Sequence, residues 1–100
     1  LQSLERFEKA LRTLEVLIES EDTSAASEQL VTAVTHLARA TLIAHEVYPL
    51  SRPELSGQLR ALKENALAGL LAGALGQESD PYTGYRDLQH YLHGTSAPTG

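Results

Sequence analysis

The chain of 100 residues contains no cysteine, no methionine and no tryptophan. Without cysteine there is no disulfide, no thiolate nucleophile and no Cys-ligated zinc or iron–sulfur centre, and the redox character of the compartment stays open. Aromatic residues are nearly absent as well: Phe7, Tyr48, Tyr82, Tyr85 and Tyr91 are the whole set. The apolar 42% of the chain is therefore mostly leucine and alanine. Such residues suit helix-on-helix packing, but they define shape weakly unless small side chains force a close approach. There is no basic run, and the net charge of −5 argues against a nucleic-acid binder that works by neutralising phosphates. No apolar run approaches the ~20 residues needed to cross a bilayer, so no membrane association is expected. Residues 1–21 are charged throughout, unlike a secretory leader. The chain opens on Leu1 rather than Met, which leaves an upstream segment open. A cytoplasmic location is the expectation. Strict alternation and an internal repeat are both missing, so neither strands nor a solenoid is expected.

What the sequence does have is one stretch with no polar side chain, from Ala66 to Leu75. At about 100° per residue, Leu67, Leu70, Leu71 and Leu75 share one broad side and only Ala and Gly fill the rest. A helix apolar all round is normally enclosed on most of its circumference. Gly69 and Gly73 are four apart, as are Ala68 and Ala72, a spacing that lets another backbone come close. The expected self-association surface is accordingly Leu67, Gly69, Leu70, Leu71, Gly73, Ala74 and Leu75.

The rest of the chain reads as helices joined by short polar breaks. Leu4, Phe7, Leu11, Leu14 and Ile18 form a heptad seam over residues 3–20, widened by Leu17. Glu5 with Lys9 and Glu8 with Arg12 are i,i+4 pairs in the favourable order. After a polar break, with Asp22, Thr23 or Ser24 as candidate cap, a second helix is expected over residues 25–48. Its seam is Leu30, Val34, Leu37, Thr41, Ala44 and Tyr48, and its length is roughly 36 Å at 1.5 Å per residue. Pro49 ends it. Ser51, Pro53 and Glu54 form a capping box for a third long helix, with Leu50 and Leu55 placed as its hydrophobic staple. That helix is expected to run unbroken through 66–75 and to end at Gly76. Residues 77–80 form a turn, and Asp80 with Pro81 opens a short fourth helix that ends at Gly94. Tyr85, Leu88 and Leu92 make its inner face, and residues 95–100 are expected to be a disordered tail.

The expected fold is thus all-α, an antiparallel up-down bundle of three long helices and one short C-terminal helix, in a single domain over residues 1–94. A chain of this size gains from the burial that a second copy supplies, so a homodimer with the third helix near the two-fold axis is preferred. The expected function is a non-catalytic protein–protein interaction or oligomerisation domain, acidic and regulatory, with no cofactor.

Few residues invite chemistry. Asp87, His90 and His93 step by three along the fourth helix, a stripe that could hold a metal, but they lie away from Tyr85, Leu88 and Leu92 and read as solvated surface. His45 falls inside the apolar face of the second helix, and a buried neutral histidine is the bland expectation for it. The alternative places His45 as a base or phospho-acceptor beside Glu46. His45-Glu46-Val47-Tyr48-Pro49-Leu50 resembles the phospho-acceptor box of sensor histidine kinases, where His-Glu is followed by Pro-Leu, although this chain is one residue short between them. That resemblance implies at most a phosphotransfer module. Arg39 and His45 are similar in spacing to the Arg-x(4–6)-His motif of HEPN-type ribonucleases, which are small helical dimers. Here Ala40 replaces the usual polar residue after the Arg, and in a straight helix the two side chains point about 120° apart. No metal site, phosphate loop or serine elbow is expected. Tyr82, Tyr85 and Tyr91 are expected to pack the fourth helix onto the bundle.

Overall fold

The computed structural model describes residues 2–76 and 80–94. The described residues form helices and no strand: α1 (Gln2–Glu19), α2 (Thr23–Ala44), α3 (Arg52–Ala61), α4 (Asn65–Gly76) and α5 (Pro81–Gly94). The expected turn at residues 77–79 and the expected disorder of residues 95–100 lie outside the described residues.

Two of the expected helix boundaries are corrected. The second helix ends at Ala44, not Tyr48, and the third is two helices, α3 and α4, separated at residues 62–64. Three long helices plus one short are therefore not what the described residues form. Both differences have one cause. Glu21, Glu46 and Lys63 each take a left-handed backbone, with φ of 60°, 61° and 64°. Each closes the same motif. The Glu46 N–H reaches the Ile43 carbonyl at 2.9 Å and the Val47 N–H reaches the Leu42 carbonyl at 2.9 Å. Lys63 to Arg60 and Glu64 to Leu59 repeat that pair at 2.9 Å each, and Glu21 to Ile18 with Asp22 to Leu17 repeat it at 3.1 and 3.2 Å. This is the Schellman ending, which glycine usually serves because it lacks a Cβ. Here charged residues serve it, so the usual signal for a stop is missing from the sequence.

The starts of the helices follow expectation more closely. Asp22 accepts from the Ala25 N–H at 3.2 Å as the cap of α2. At α3 the Glu54 carboxylate accepts from both the Ser51 N–H (3.3 Å) and the Ser51 hydroxyl (2.6 Å). Leu50 is exposed while Leu55 is fully buried, so the staple expected between them is not supported. Asp80 caps α5 by accepting from the Thr83 N–H at 2.8 Å, and these hydrogen bonds hold its carboxyl below the usual range.

The core is one contiguous cluster to which all five helices contribute, including Phe7 and Leu14 of α1, Leu55 and Leu59 of α3, Leu67 and Leu71 of α4, and Leu88 of α5. Its centre is α2, which packs against each of the other four helices. Buried residues from Ala26 to Leu42 spread over roughly 220° of its circumference at ~100° per residue. Thr35 is enclosed with them, and its hydroxyl finds no partner among the described residues. In α1 the seam holds at Phe7 and Leu14, while Leu4, in its first turn, lies exposed. Neither Glu5–Lys9 nor Glu8–Arg12 closes into an ion pair within 4.0 Å.

Candidate functional site

The helix α4 is enclosed on one side only. Leu67, Ala68, Leu71 and Ala74 are buried, and at ~100° per residue they share a single arc. The opposite arc carries Asn65, Ala66, Gly69, Ala72, Gly73 and Gly76. Apart from Asn65 it offers no polar side chain, and its residues are exposed or half-buried. Of the residues expected to form a self-association surface, Leu67 and Leu71 are thus covered by the chain's own helices, Ala74 is buried and Leu70 half-buried. Gly69 and Leu75 are exposed, Leu75 to 36%, and Gly73 is half-buried.

Beside that open arc lies an apolar groove of about 770 Å³. Leu30 and Val34 of α2 line it, with Ala66, Gly69 and Gly73 of α4 and Gly84 and Tyr91 of α5. Its glycines act in opposite ways. At Gly84 an added Cβ would run into the Leu30 side chain, so the missing methyl is what lets α5 settle on α2. At Gly69 and Gly73 an added Cβ would meet nothing within 4 Å, so the small residues there leave space rather than fill a contact. Sequence reasoning found Gly69 and Gly73 but not Gly84, because nothing local says which neighbour a helical glycine faces.

The groove carries a few polar groups. Asp87, His90 and Ser27 line it along with Tyr91, and no lysine or arginine does. Burial of the Tyr91 phenol, and then the adjoining Glu64 charge, raise its pKa above the usual 10. Glu64 begins α4 by accepting the Ala68 N–H at its carbonyl (3.0 Å), while its carboxylate stands 3.5 Å from His45 Nε2. One side chain thereby joins the end of α2, the α3–α4 elbow and the last turns of α5. Tyr85 makes a second tie, its hydroxyl donating to the Glu15 carboxylate at 3.2 Å, and Tyr82 meets Thr23 at 3.2 Å. The tyrosines therefore do pack α5 onto the bundle.

The pKa direction carries a pH dependence. Tyr91, and likewise Tyr85 for the same reasons of burial and a neighbouring carboxylate, favour the neutral phenol in the folded state. The stability they contribute is complete below pH ~10 and is lost as pH rises through the raised values. Thermal melts from pH 8 upward should be flat to about pH 10 and fall beyond it. Tyr91→Phe should flatten part of that fall, and an unchanged alkaline limb in the variant would contradict the placement of Tyr91 beside Glu64.

The expected position of His45 is corrected. It is the residue after the last turn of α2, its side chain is 45% exposed, and it lies outside the apolar face. Tyr48, expected in the same seam, is 84% exposed. Arg39 does not join His45; its charge acts on His36. Asp87 and His90 reach the rim of the groove, and His93 is exposed. Among the described residues no three His, Asp or Glu side chains come together as metal ligands would. The groove thus combines apolar walls with a few hydrogen-bonding groups, Ser27, Asp87, His90 and Tyr91.

Comparison with protein-family models, with curated proteins and with solved structures found no match.

Proposed function

We propose that this chain is a non-catalytic interaction domain of the cytoplasm, regulatory in character, in which two copies associate through the open arc of α4 and the groove beside it. One observation carries the reading: the arc is apolar and unfilled, with no atom within 4 Å of where a Cβ would stand on Gly69 or Gly73. Water gains little from such a surface, and a second helix gains backbone-to-backbone contact along it. The arc and the groove lie side by side, sharing Ala66, Gly69 and Gly73, so a two-fold contact would set the arc of each copy against the groove of the other. A 100-residue chain also gains burial from a partner.

Sedimentation of wild type against Gly69→Leu and Gly73→Leu tests this. The wild type is expected to run as a dimer and both variants as monomers with intact helical content, because the new side chains fill the groove without touching the core. Gly69→Ala sharpens the outcome. In a monomer it should stabilise the helix by roughly 0.5–1 kcal/mol; in a close-packed dimer it should weaken association instead. A monomeric wild type, with all variants unchanged in mass, would end the reading.

A second reading is favoured by the groove volume alone, since 770 Å³ lies within the roughly 300–1,000 Å³ usual for small-molecule sites. An apolar molecule bound there would raise the melting temperature of a monomer, and Gly73→Leu would abolish that rise. The phosphotransfer and ribonuclease alternatives centred on His45 gain no support: its described partner is Glu64, and Arg39 stands elsewhere.

A further inference from the structure

Away from the groove, α1 and α2 leave a shallow notch of about 260 Å³ over Ala10, a buried residue too small to fill it. Its lining is unlike the rest of an acidic chain. Arg6, Lys9 and His36 converge there, with Thr13 and Gln29 completing the walls. Gln29 is held in place by donating to the Ala10 carbonyl at 3.4 Å, and Thr13 by donating to the Lys9 carbonyl at 3.2 Å. Neither Arg6, Lys9 nor the neighbouring Arg39 has a carboxylate within 4.0 Å among the described residues. The glutamates that alternate with them along α1 leave these cations unpaired.

We propose that this notch binds a small oxyanion, a single phosphoryl group carried free or as a phosphomonoester. Three kinds of donor meet there, guanidinium, ammonium and imidazole, and they complement an anion with several acceptor oxygens. The volume of about 260 Å³ leaves ample room for one such group together with the small organic part of a phosphomonoester or with water. No aromatic residue lines it and no basic track leads from it, so it has neither the stacking surface nor the length that nucleic acid requires.

His36 is placed to report on binding in the notch. Its burial, then the charges of Arg39 on its own helix and Arg6 across the interface, hold its pKa below the usual 6.5. No acidic group is among these influences. A bound anion offsets that repulsion and favours the imidazolium, so binding and protonation strengthen each other.

Proton NMR titration of the histidines tests the site, because each imidazole reports separately. Chloride, inorganic phosphate and glycerol 3-phosphate are compared at equal ionic strength. In phosphate the His36 midpoint should rise by about half a unit, equivalent to roughly threefold tighter binding to the protonated form. His45 and His90, which lie outside the notch, should stay put. Arg6→Gln and Lys9→Gln, both surface changes, should each remove the phosphate-dependent rise. A larger rise with glycerol 3-phosphate than with phosphate points to a phosphorylated small molecule as the source, and an equal one to free phosphate. An unmoved His36, a rise shared equally by His45 and His90, or a rise that survives both substitutions overturns the proposal. The outcome is independent of the α4 surface, since Gly69→Leu leaves the notch unaltered.

Discussion

Leu88→Ala is expected to lower the stability of the chain by about 3 kcal/mol, within the usual range of roughly 2–5 for a buried leucine. Leu88 is fully buried and is the core leucine of α5. The other inward residues of that helix, Tyr85, Tyr91 and Leu92, are only partly buried. Removing it leaves a cavity at the base of α5 and withdraws the main apolar attachment of the helix. The part-buried Tyr85–Glu15 and exposed Tyr82–Thr23 hydrogen bonds do not replace it, each being worth of order 1 kcal/mol. The loss should also be local. α5 is one wall of the groove, so hydrogen exchange should accelerate first along Pro81–Gly94 and then along the α4 residues facing it, before α1 and α2 respond. Urea unfolding gives the magnitude and native-state exchange gives the location. Val16→Ala is the control: Val16 is 62% exposed and its loss should cost less than ~0.5 kcal/mol. A Leu88→Ala chain as stable as that control would show that α5 is not held by the core at all.

The second large effect is a gain. Glu21, Glu46 and Lys63 occupy left-handed backbone, a conformation costing an L-residue with a side chain about 1–2 kcal/mol. Glycine adopts it without that cost, though it gives back part of the gain through a more flexible unfolded chain. Each of the three substitutions to glycine should therefore stabilise by about 0.5–1 kcal/mol, and all three together by roughly 2 kcal/mol. For a chain of this size that corresponds to an upward shift of the melting temperature by about 10 °C. Glu21 terminates α1, while Glu46 and Lys63 each adjoin a member of the His45–Glu64 pair. The first should add cleanly to either of the others, and the latter two are best measured as a double-mutant cycle. Alanine at the same positions is the informative contrast. It keeps the Cβ and should leave stability near that of the natural chain. If glycine and alanine behave alike, the three turns are not left-handed and the helix boundaries drawn from them are wrong.

These turns also mark where sequence reasoning stopped working. The Ser51–Glu54 box, the Asp22 cap and the Asp80–Pro81 start are written in local chemistry, in residues that supply or forgo a hydrogen bond within one turn, and each appears where its pattern places it. The ends of α1, α2 and α3 are not so written. With a glutamate or lysine at the turning residue, the pattern of apolar positions carries on past the end of α2 and through residues 62–64. The chain turns there because tertiary contacts offset the backbone cost. Val47, which follows the left-handed Glu46, packs against the core, and Leu59, whose carbonyl receives the Glu64 N–H, is fully buried. His45 moved from an expected buried face to an exposed helix end for that reason alone.

The sequence by itself determined that this is a helical chain with a leucine–alanine core, and it held the caps that open α2, α3 and α5. These are consequences of side-chain chemistry and of spacing along one helix. Which helix stands at the centre, what encloses Leu67 and Leu71, and which side of α4 stays open were decided by the tertiary structure. A single helix has a periodicity but no knowledge of its neighbours: α2 became the hub because four other helices lie against it, and the glycines of α4 border a groove because α5 settles on α2 at Gly84 and does not fill the space beside them.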